Sequence, residues 1–253
     1  LLQILSRANI DALKEELKWS PPEEFVVKAA DGKTDLYGLL FKPYDFDPNK
    51  KYPVIEYIYA GPQINLWPYT FTIDAQPGMA KLAPALAQLG FIVFGVDARG
   101  TPGRGKEFQD VVYGHFGRHE IPDHVATLQQ LAEKRPYMDL SRVGIYGYSW
   151  GGYFTIRAML LAPDVYHVGI AGSPPVDAYT GATIYEPYMG LPETNKEGYE
   201  YASNARLAGN LKGKLLLVEG TSDIWFADTM KMVEALIRAG KPYDLILMPG
   251  QDH

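Results

Sequence analysis

Short runs of β-branched and aromatic residues alternate along the chain with longer segments whose apolar positions recur every three or four residues. This alternation is typical of strand–helix–strand units around a mostly parallel sheet. The short runs predict strands near Phe25–Ala29, Leu36–Lys42, Pro53–Tyr59, Phe91–Asp97, Arg142–Tyr146, His167–Ala171, Lys214–Glu219 and Tyr243–Met248. The longer segments predict helices at Met79–Leu89, Gly105–Tyr113, Pro122–Lys134, Gly152–Leu161 and Ala227–Ala239. The pattern therefore predicts an α/β fold whose mostly parallel, eight-stranded sheet carries helices on both faces.

The segment before the first predicted strand has a different character. Asn9–Trp19 shows helical spacing, and Asn9 is a suitable N-cap residue. Ser20-Pro21-Pro22 then stops the helix, because proline cannot continue it. We therefore expect residues 1–22 to form a helical strap or linker that leads into a single domain over residues 23–253.

Two features interrupt the strict alternation of strands and helices. Asp31-Gly32 lies between the first two predicted strands and is a hairpin signal, so the sheet should begin with an antiparallel pair. From about residue 173 to residue 210 the pattern breaks into a stretch rich in tyrosine, proline and glycine. That stretch is longer than an ordinary connection, which predicts an insertion with a functional role.

Composition narrows the chemistry that this fold can carry. The 253 residues include 24 Lys+Arg against 30 Asp+Glu, a formal net charge of −6 that argues against a nucleic-acid partner. The chain has no cysteine, which excludes disulfides, thiolate metal sites and a cysteine nucleophile. No apolar run reaches the ~18–20 residues of a membrane span, since Leu82–Val96 is interrupted by Pro84, Gln88 and Gly90.

The strongest chemical signal follows the predicted strand that ends at Tyr146. Gly147-Tyr148-Ser149-Trp150-Gly151-Gly152 is a G-x-S-x-G motif that leads into a helical segment, the context of a nucleophile elbow. Small flanking glycines let the strand and the helix approach closely, so that the turn presents the serine hydroxyl at the edge of the sheet. The motif makes Ser149 the candidate nucleophile, and the alternative is a serine that only caps the helix.

The residues that would activate this serine follow it along the chain. In this arrangement the catalytic groups come in the order Ser, acid, His, and the imidazole takes the proton of the serine. Only His167 and His253 follow Ser149, and only His253 also follows a well-placed acid. Asp223 lies in the loop after the seventh predicted strand, and His253 lies in the loop after the eighth. The order predicts Asp223 as the orienting acid and His253 as the base; the alternatives are a turn aspartate and a frayed terminal histidine.

Several segments together resemble the catalytic domain of the prolyl oligopeptidase family of serine peptidases, in particular its dipeptidyl peptidase IV-like branch. They are Tyr59-Ala60-Gly61-Pro62, Asp97-Ala98-Arg99-Gly100, Gly147–Tyr153, Tyr188-Met189-Gly190-Leu191-Pro192 and the loops of Asp223 and His253. The resemblance covers most of the chain and implies an α/β-hydrolase catalytic domain over residues 23–253. It also implies an N-terminal β-propeller and a final helix after the histidine, so we expect this sequence to be trimmed at both ends. Homodimers are frequent in the family and are an expectation for this chain.

The resemblance also implies a role for each candidate residue. Ser149 would be the nucleophile, Asp223 the orienting acid and His253 the general acid and base. The Tyr59 phenol and the Trp150 backbone N–H would donate hydrogen bonds to the oxyanion. The position of Tyr59 agrees independently with its role, because the loop after the third strand supplies the second oxyanion donor in this fold.

The resemblance also implies an aromatic wall that receives the residue before the scissile bond. In the family this residue is often proline. The candidate substrate-binding residues, with Trp150 beside them, are Tyr185, Tyr188, Val176, Phe226 and Trp225. Two positions depart from the family pattern. Dipeptidyl peptidases usually carry an asparagine where this chain has Trp225, and a histidine is common where it has Glu219. We expect such changes to affect substrate preference rather than the triad.

Two further motifs suggest cofactors but do not meet the requirements for them. The glycine-rich segment Gly100–Lys106 follows a predicted strand, but Glu107 stands where a phosphate-binding loop needs Ser or Thr. His115 and His119 have the spacing of two metal ligands on one helix, yet neighbouring glycines disfavour a helix there. We therefore expect neither a cofactor nor a metal.

These observations predict a serine peptidase that cleaves short peptides, after proline or a small residue, through an acyl-enzyme. Two alternatives stay open. A carboxylesterase or acylaminoacyl peptidase would use the same triad, because the elbow does not distinguish an amide from an ester. A non-catalytic binding domain of the same fold would keep the residues without the activity.

Overall fold

An eight-stranded, mostly parallel sheet forms the centre of the computed structural model, which describes residues 9–66 and 79–253. The strands are β1 (Glu23–Lys28), β2 (Asp35–Phe41), β3 (Tyr52–Tyr57), β4 (Ile92–Asp97), β5 (Met138–Tyr148), β6 (Val168–Gly172), β7 (Lys214–Gly220) and β8 (Asp244–Met248). They lie in the order β1-β2-β4-β3-β5-β6-β7-β8. The predicted α/β fold and its eight strands are confirmed.

The direction of each strand agrees with the connection that precedes it. β1 and β2 pair antiparallel across the Asp31-Gly32 turn, and β2 also pairs antiparallel with β4. Every later pair is parallel, from β3 with β4 and β5 to β7 with β8. Parallel neighbours need crossover connections, and helices supply them. The carboxyl ends of β3, β5, β7 and β8 therefore meet at one edge of the sheet.

Eight α-helices accompany the sheet within the described residues. They are α1 (Asp11–Leu17), α2 (Met79–Gln88), α3 (Lys106–Asp110), α4 (Glu120–Lys134), α5 (Trp150–Leu161), α6 (Ala182–Met189), α7 (Lys196–Ala202) and α8 (Phe226–Arg238). α5 is buried along almost its whole length, because it packs against β5 and β6 at the centre of the molecule. None of the helices in the described part of the chain is long and apolar enough to cross a membrane.

The helix predicted over Gly105–Tyr113 is much shorter than expected. α3 ends at Asp110 and buries none of its residues, so packing does not extend it. The chain turns instead, and Val112 becomes buried against Gly100, where an added Cβ would lie 2.7 Å from a Val112 methyl group.

The insertion contains more regular structure than the sequence pattern indicates. α6, α7 and a 3₁₀ helix at Ala205–Asn210 lie within it. The Asn195 side chain accepts a hydrogen bond from the Gly198 N–H and caps α7. This cap is a local helix signal within a segment whose tyrosine, proline and glycine content indicates irregular structure. α6 has 8 residues and contains Pro187, which has no N–H to donate within the helix.

The N-terminal helix agrees with its prediction where the structure describes it. The Asn9 side chain accepts a hydrogen bond from the Asp11 N–H at 3.0 Å, as expected of the cap of α1. Residues 1–8 of the expected strap lie outside the described residues.

Candidate active site

The turn between β5 and α5 holds Ser149 in an unusual backbone conformation. Ser149 has φ 58° and ψ −120°, the strained geometry of a nucleophile elbow. The flanking glycines permit it: an added Cβ at Gly147 would lie 2.2 Å from the Gly151 carbonyl oxygen. An added Cβ at Gly151 would lie 2.3 Å from the carbonyl oxygen of Ile58, just beyond β3. The G-x-S-x-G spacing thus meets a steric requirement at both glycines.

Ser149, His253 and Asp223 converge into one hydrogen-bonded chain. The Ser149 Oγ lies 2.8 Å from His253 Nε2, and His253 Nδ1 lies 2.9 Å from Asp223 Oδ2. With Nδ1 donating to the carboxylate, Nε2 is left to accept the proton of the serine hydroxyl. Asp223 is buried, whereas the His253 side chain is about one-third exposed at 36%. The arrangement can therefore move a proton between a reachable hydroxyl and an imidazole held by a buried acid.

Two loops carry the acid and the imidazole, and hydrogen bonds join them. The Ser222 N–H donates to the Gln251 carbonyl at 2.9 Å, and the Gly250 N–H donates to the Thr221 hydroxyl at 2.9 Å. The Asp223 carboxylate also accepts from the Trp225 N–H at 2.8 Å. The loops after β7 and β8 are thus fixed relative to each other, which positions the imidazole on the acid.

Tyr59 lies beside the serine. Burial raises the pKa of its phenol, while hydrogen bonds with the side chains of Ser149 and Gln63 act in the opposite direction. A raised pKa keeps the phenol protonated at neutral pH, so that it can donate a hydrogen bond. Trp150 is the first residue of α5, where backbone N–H groups have no partner inside the helix. The structure thus places the Tyr59 phenol and the Trp150 N–H next to Ser149, and their role as oxyanion donors stays a prediction.

Two of the predicted pocket residues, Tyr185 and Trp225, form an aromatic cluster with Trp150 next to Ser149. The Tyr185 ring lies 4.9 Å from the Trp150 ring between centroids and 6.2 Å from the Trp225 ring, on which it stacks at 17°. All three side chains are buried. Gly181 lies against this cluster, since an added Cβ would meet Tyr185 at 2.7 Å and Trp225 at 3.0 Å.

The other predicted pocket residues lie less centrally. Val176 is fully buried, and its N–H donates to the Asp228 carboxylate. Tyr188 and Phe226 are half-buried, and among the described residues neither ring stacks on the aromatic cluster. The Phe226 N–H donates to the Asp223 carbonyl, which places the start of α8 next to the acid loop. Their part in substrate binding stays a prediction.

Sequence reasoning missed the support behind Trp150. Phe116 meets the indole edge-on at 4.9 Å, and Tyr153 stacks on it at 4.8 Å. Below Tyr153, the fully buried Arg157 donates to the Asn204 side chain at 3.1 Å. Phe116 lies 34 residues before Trp150, so a tertiary contact rather than a local pattern brings them together.

A buried carboxyl anchors the loop that carries Phe116. Burial raises the pKa of Glu120 to about 7, and hydrogen bonds from the Gly117 and His119 N–H groups oppose that rise. The rings of His115 and His119 lie 5.4 Å apart, and burial lowers the pKa of both. The described residues contain no group of three or more His, Asp or Glu side chains arranged to hold a metal ion.

The chain is similar to known proteins along most of its length. The model of the prolyl oligopeptidase family matches residues 79–253. The human and mouse proteins named dipeptidyl peptidase 8 are each 40% identical over 244 residues, which cover 93% of this chain and 26% of theirs. The crystal structure of Porphyromonas gingivalis dipeptidyl peptidase 4 superposes with a TM-score of 0.85 and 32% identity, over 97% of this chain and 35% of that one. The chain thus spans about a quarter of the length of the curated relatives it matches.

Proposed function

Because this chain belongs to the prolyl oligopeptidase family, we propose that it is the catalytic domain of a serine peptidase that hydrolyses short peptides. The observation that carries the proposal is the pair of distances at His253, 2.8 Å to the Ser149 hydroxyl and 2.9 Å to the Asp223 carboxylate. Nucleophile, base and orienting acid within hydrogen-bond reach are what acyl transfer requires.

In the proposed mechanism His253 Nε2 takes the proton of Ser149 as its oxygen bonds to the scissile carbonyl carbon. The negative charge that develops on the carbonyl oxygen is stabilised by the Tyr59 O–H and the Trp150 N–H. The imidazolium then gives its proton to the leaving amine as the C–N bond breaks, which leaves an acyl-enzyme. Water, deprotonated by His253, hydrolyses the acyl-enzyme and restores Ser149. Asp223 holds the imidazole in place and stabilises its charged form.

The substrate proposal rests on the aromatic cluster beside the serine. Trp150, Tyr185 and Trp225 are buried, and the Tyr185 ring contacts both indoles, which makes an apolar aromatic wall. Proline and small side chains are compact enough to pack on such rings without hydrogen bonds. We therefore propose cleavage after proline or a small residue, with the dipeptidyl peptidase names of the relatives as further support.

The relatives are about four times longer than this chain, which supports a larger whole protein. We propose that its other part includes the N-terminal β-propeller implied by the family resemblance, and that residues 1–22 connect it to a catalytic domain at 23–253. Homodimerisation stays a prediction of the same resemblance.

The test uses the full-length protein and a fluorophosphonate probe, which labels only an activated serine. We expect labelling, hydrolysis of a proline anilide, and a loss of about 10⁴-fold or more in kcat for Ser149→Ala. Ser141→Ala is the matched control, because this exposed serine lies on β5, the strand that leads to Ser149, and its hydroxyl donates to the Asp139 carboxylate at 2.6 Å. Folding of each variant is checked by circular dichroism.

The remaining outcomes separate the alternatives. A folded wild-type protein that the probe does not label would favour the non-catalytic domain. Labelling with hydrolysis of a short acyl ester but not of the anilide would favour an esterase. Trp225 makes the esterase outcome worth testing, because an indole has one N–H donor, farther from the backbone than the two of the asparagine amide that the family resemblance leads us to expect there.

A further inference from the structure

A second acid lies behind the Asp223–His253 pair. Glu219 is the penultimate residue of β7 and is fully buried. Its carboxyl accepts a hydrogen bond from the Gly220 N–H at 3.1 Å and meets the Thr229 hydroxyl of α8. Both hydrogen-bond partners are neutral, so neither cancels the charge of an ionised Glu219. A charged carboxylate in this position therefore acts on its surroundings over a longer range than a solvated one.

Glu219 is connected to the catalytic loops by short paths. Gly220 follows it, and the Gly220 carbonyl accepts from the Asp223 N–H at 3.1 Å. The loop of His253 packs directly on Gly220, where an added Cβ would lie 2.4 Å from the Gln251 carbonyl oxygen. Burial raises the pKa of Glu219, the charge of Asp223 raises it further, and the His253 imidazolium lowers it. The two acids and the imidazole therefore form one electrostatic group.

The surroundings of Glu219 suit both of its protonation states. The Thr229 hydroxyl has one hydrogen, and two acceptors are near it: the Glu219 carboxyl and the Pro174 carbonyl at 3.2 Å. When Glu219 is ionised, the hydroxyl donates to it. When Glu219 is protonated, its O–H can donate to Thr229, whose hydrogen then turns to Pro174. Every buried donor of this group has an acceptor in both protonation states of Glu219. The carboxyl can therefore change its charge without leaving a buried donor unpaired.

We propose that Glu219 is a positioning residue that sets the basicity of His253 by adding a second buried negative charge behind Asp223. This inference rests on the proposed function, since it concerns the base of the same relay. Glu219 touches no substrate and acts only through the imidazole. Among the described residues, the other titratable groups that face His253 are Asp223, Tyr148, whose ring lies 5.2 Å from the imidazole, and, through Ser149, Tyr59.

The test is Glu219→Gln in the full-length protein, because glutamine has the same shape and can make the hydrogen bonds of the protonated acid. Removal of the charge makes the imidazolium less stable, so the imidazole should hold its proton only at lower pH. We expect the acid limb of the kcat/KM profile to move to lower pH by about half a unit or more, with less than a threefold change on the plateau. Glu234→Gln, an exposed acid on α8 paired with Arg238 at 2.6 Å, removes the same charge and should not shift the limb.

The outcomes distinguish a failure of this inference from a failure of the proposed function. An unshifted limb in an active Glu219→Gln variant, or an equal loss of kcat/KM at every pH, would overturn the inference. If the wild type is inactive, the proposed function fails, and an NMR titration of the His253 imidazole in both proteins still tests the shift. If Glu219→Gln does not fold, Thr229→Val removes the hydroxyl that stabilises the ionised acid and should shift the limb in the same direction. Thr229→Val without a shift would also overturn the inference.

Discussion

At the scale of single residues, the site depends on a serine that its neighbours hold in a strained conformation. A positive φ costs a serine on the order of 1 kcal/mol or more, and such strain persists only where the surroundings enforce it. Here the Ser149 N–H donates to the Gly172 carbonyl at 2.7 Å, and the Ser149 carbonyl accepts from the Tyr153 N–H at 3.1 Å. Both bonds fix the backbone, so the hydroxyl has its direction before any substrate arrives.

The role of Tyr59 can be tested directly, because its phenol is the one proposed oxyanion donor that a side-chain substitution can remove. Tyr59→Phe keeps the ring and deletes the O–H. We expect kcat to fall by roughly 10²–10³, with KM little changed, since the charge that the phenol stabilises develops only in the transition state. Steady-state kinetics on a proline anilide, with the full-length protein, measure both constants.

Tyr146→Phe is the control for that substitution. It deletes a half-buried phenol of β5 whose ring lies 5.7 Å from the Tyr57 ring of β3, and it should leave kcat unchanged. A Tyr59→Phe enzyme with wild-type kcat would remove Tyr59 from the oxyanion site, whatever its distance from Ser149.

At the scale of elements, the sequence predicts what short-range periodicity controls. The apolar runs predict all eight strands. The two glycines of the motif predict the elbow, and the structure shows why they are needed, because a Cβ at either position would clash with a backbone carbonyl oxygen. The helices of the insertion were not predicted, because α6 contains a proline and α7 is short. Their stability comes from contacts such as the Asn195 side chain with the Gly114 carbonyl at 2.8 Å, 81 residues apart. Contacts over such distances leave no period in the sequence.

The elbow gives the second prediction. In Gly151→Ala the new Cβ would meet the Ile58 carbonyl oxygen, a backbone atom of the central sheet that cannot easily move. We expect a loss of roughly 1–3 kcal/mol or more in the free energy of unfolding. Labelling by the fluorophosphonate probe should fall as well, because α5 must shift away from β3 and carry Ser149 with it. Urea denaturation and the probe give the two readouts.

Gly209→Ala is the matched control for the elbow, since nothing lies within 4 Å of its added Cβ. It should lose less than about 0.5 kcal/mol and keep full labelling. Full labelling and full stability of Gly151→Ala would show that the elbow does not need its glycine.

At the scale of the whole molecule, hydrogen-bonded polar groups connect elements that are far apart in the sequence. The proposed catalytic relay spans 104 residues from Ser149 to His253. A second network in the core joins Glu56 of β3 to His124 of α4 and to Tyr166 before β6, across 68 and 110 residues. The order Ser, acid, His predicts the first network. The second has no motif, and its members look like ordinary polar residues until the fold brings them together.

The second network gives the last prediction, a dependence of stability on pH. His124 is fully buried, and burial lowers its pKa, but the negative charge of Glu56 and the hydrogen bond to it raise it above 6.5 overall. The folded state therefore binds the His124 proton more tightly than the unfolded state does. The pair stabilises the fold fully below about pH 6.5, and this stabilisation is lost as the pH rises through the folded-state pKa.

Glu56→Gln tests this, because the amide can replace both hydrogen bonds without the charge. Without the Glu56 charge, burial is the largest influence left on the pKa of His124, and the smaller effects of the Asp123 and Glu120 charges oppose it. We therefore expect a neutral imidazole in the folded state and a reversed pH dependence, in which stability falls as the pH drops below 6.5. We expect a loss of roughly 3 kcal/mol at pH 6 and a smaller loss at pH 9. Urea denaturation from pH 5 to pH 9 measures it against Glu133→Gln, an exposed acid on the same helix as His124. Parallel curves for wild type and Glu56→Gln would mean that the pair is not ionised in the core, and that hydrogen bonds alone connect the three elements.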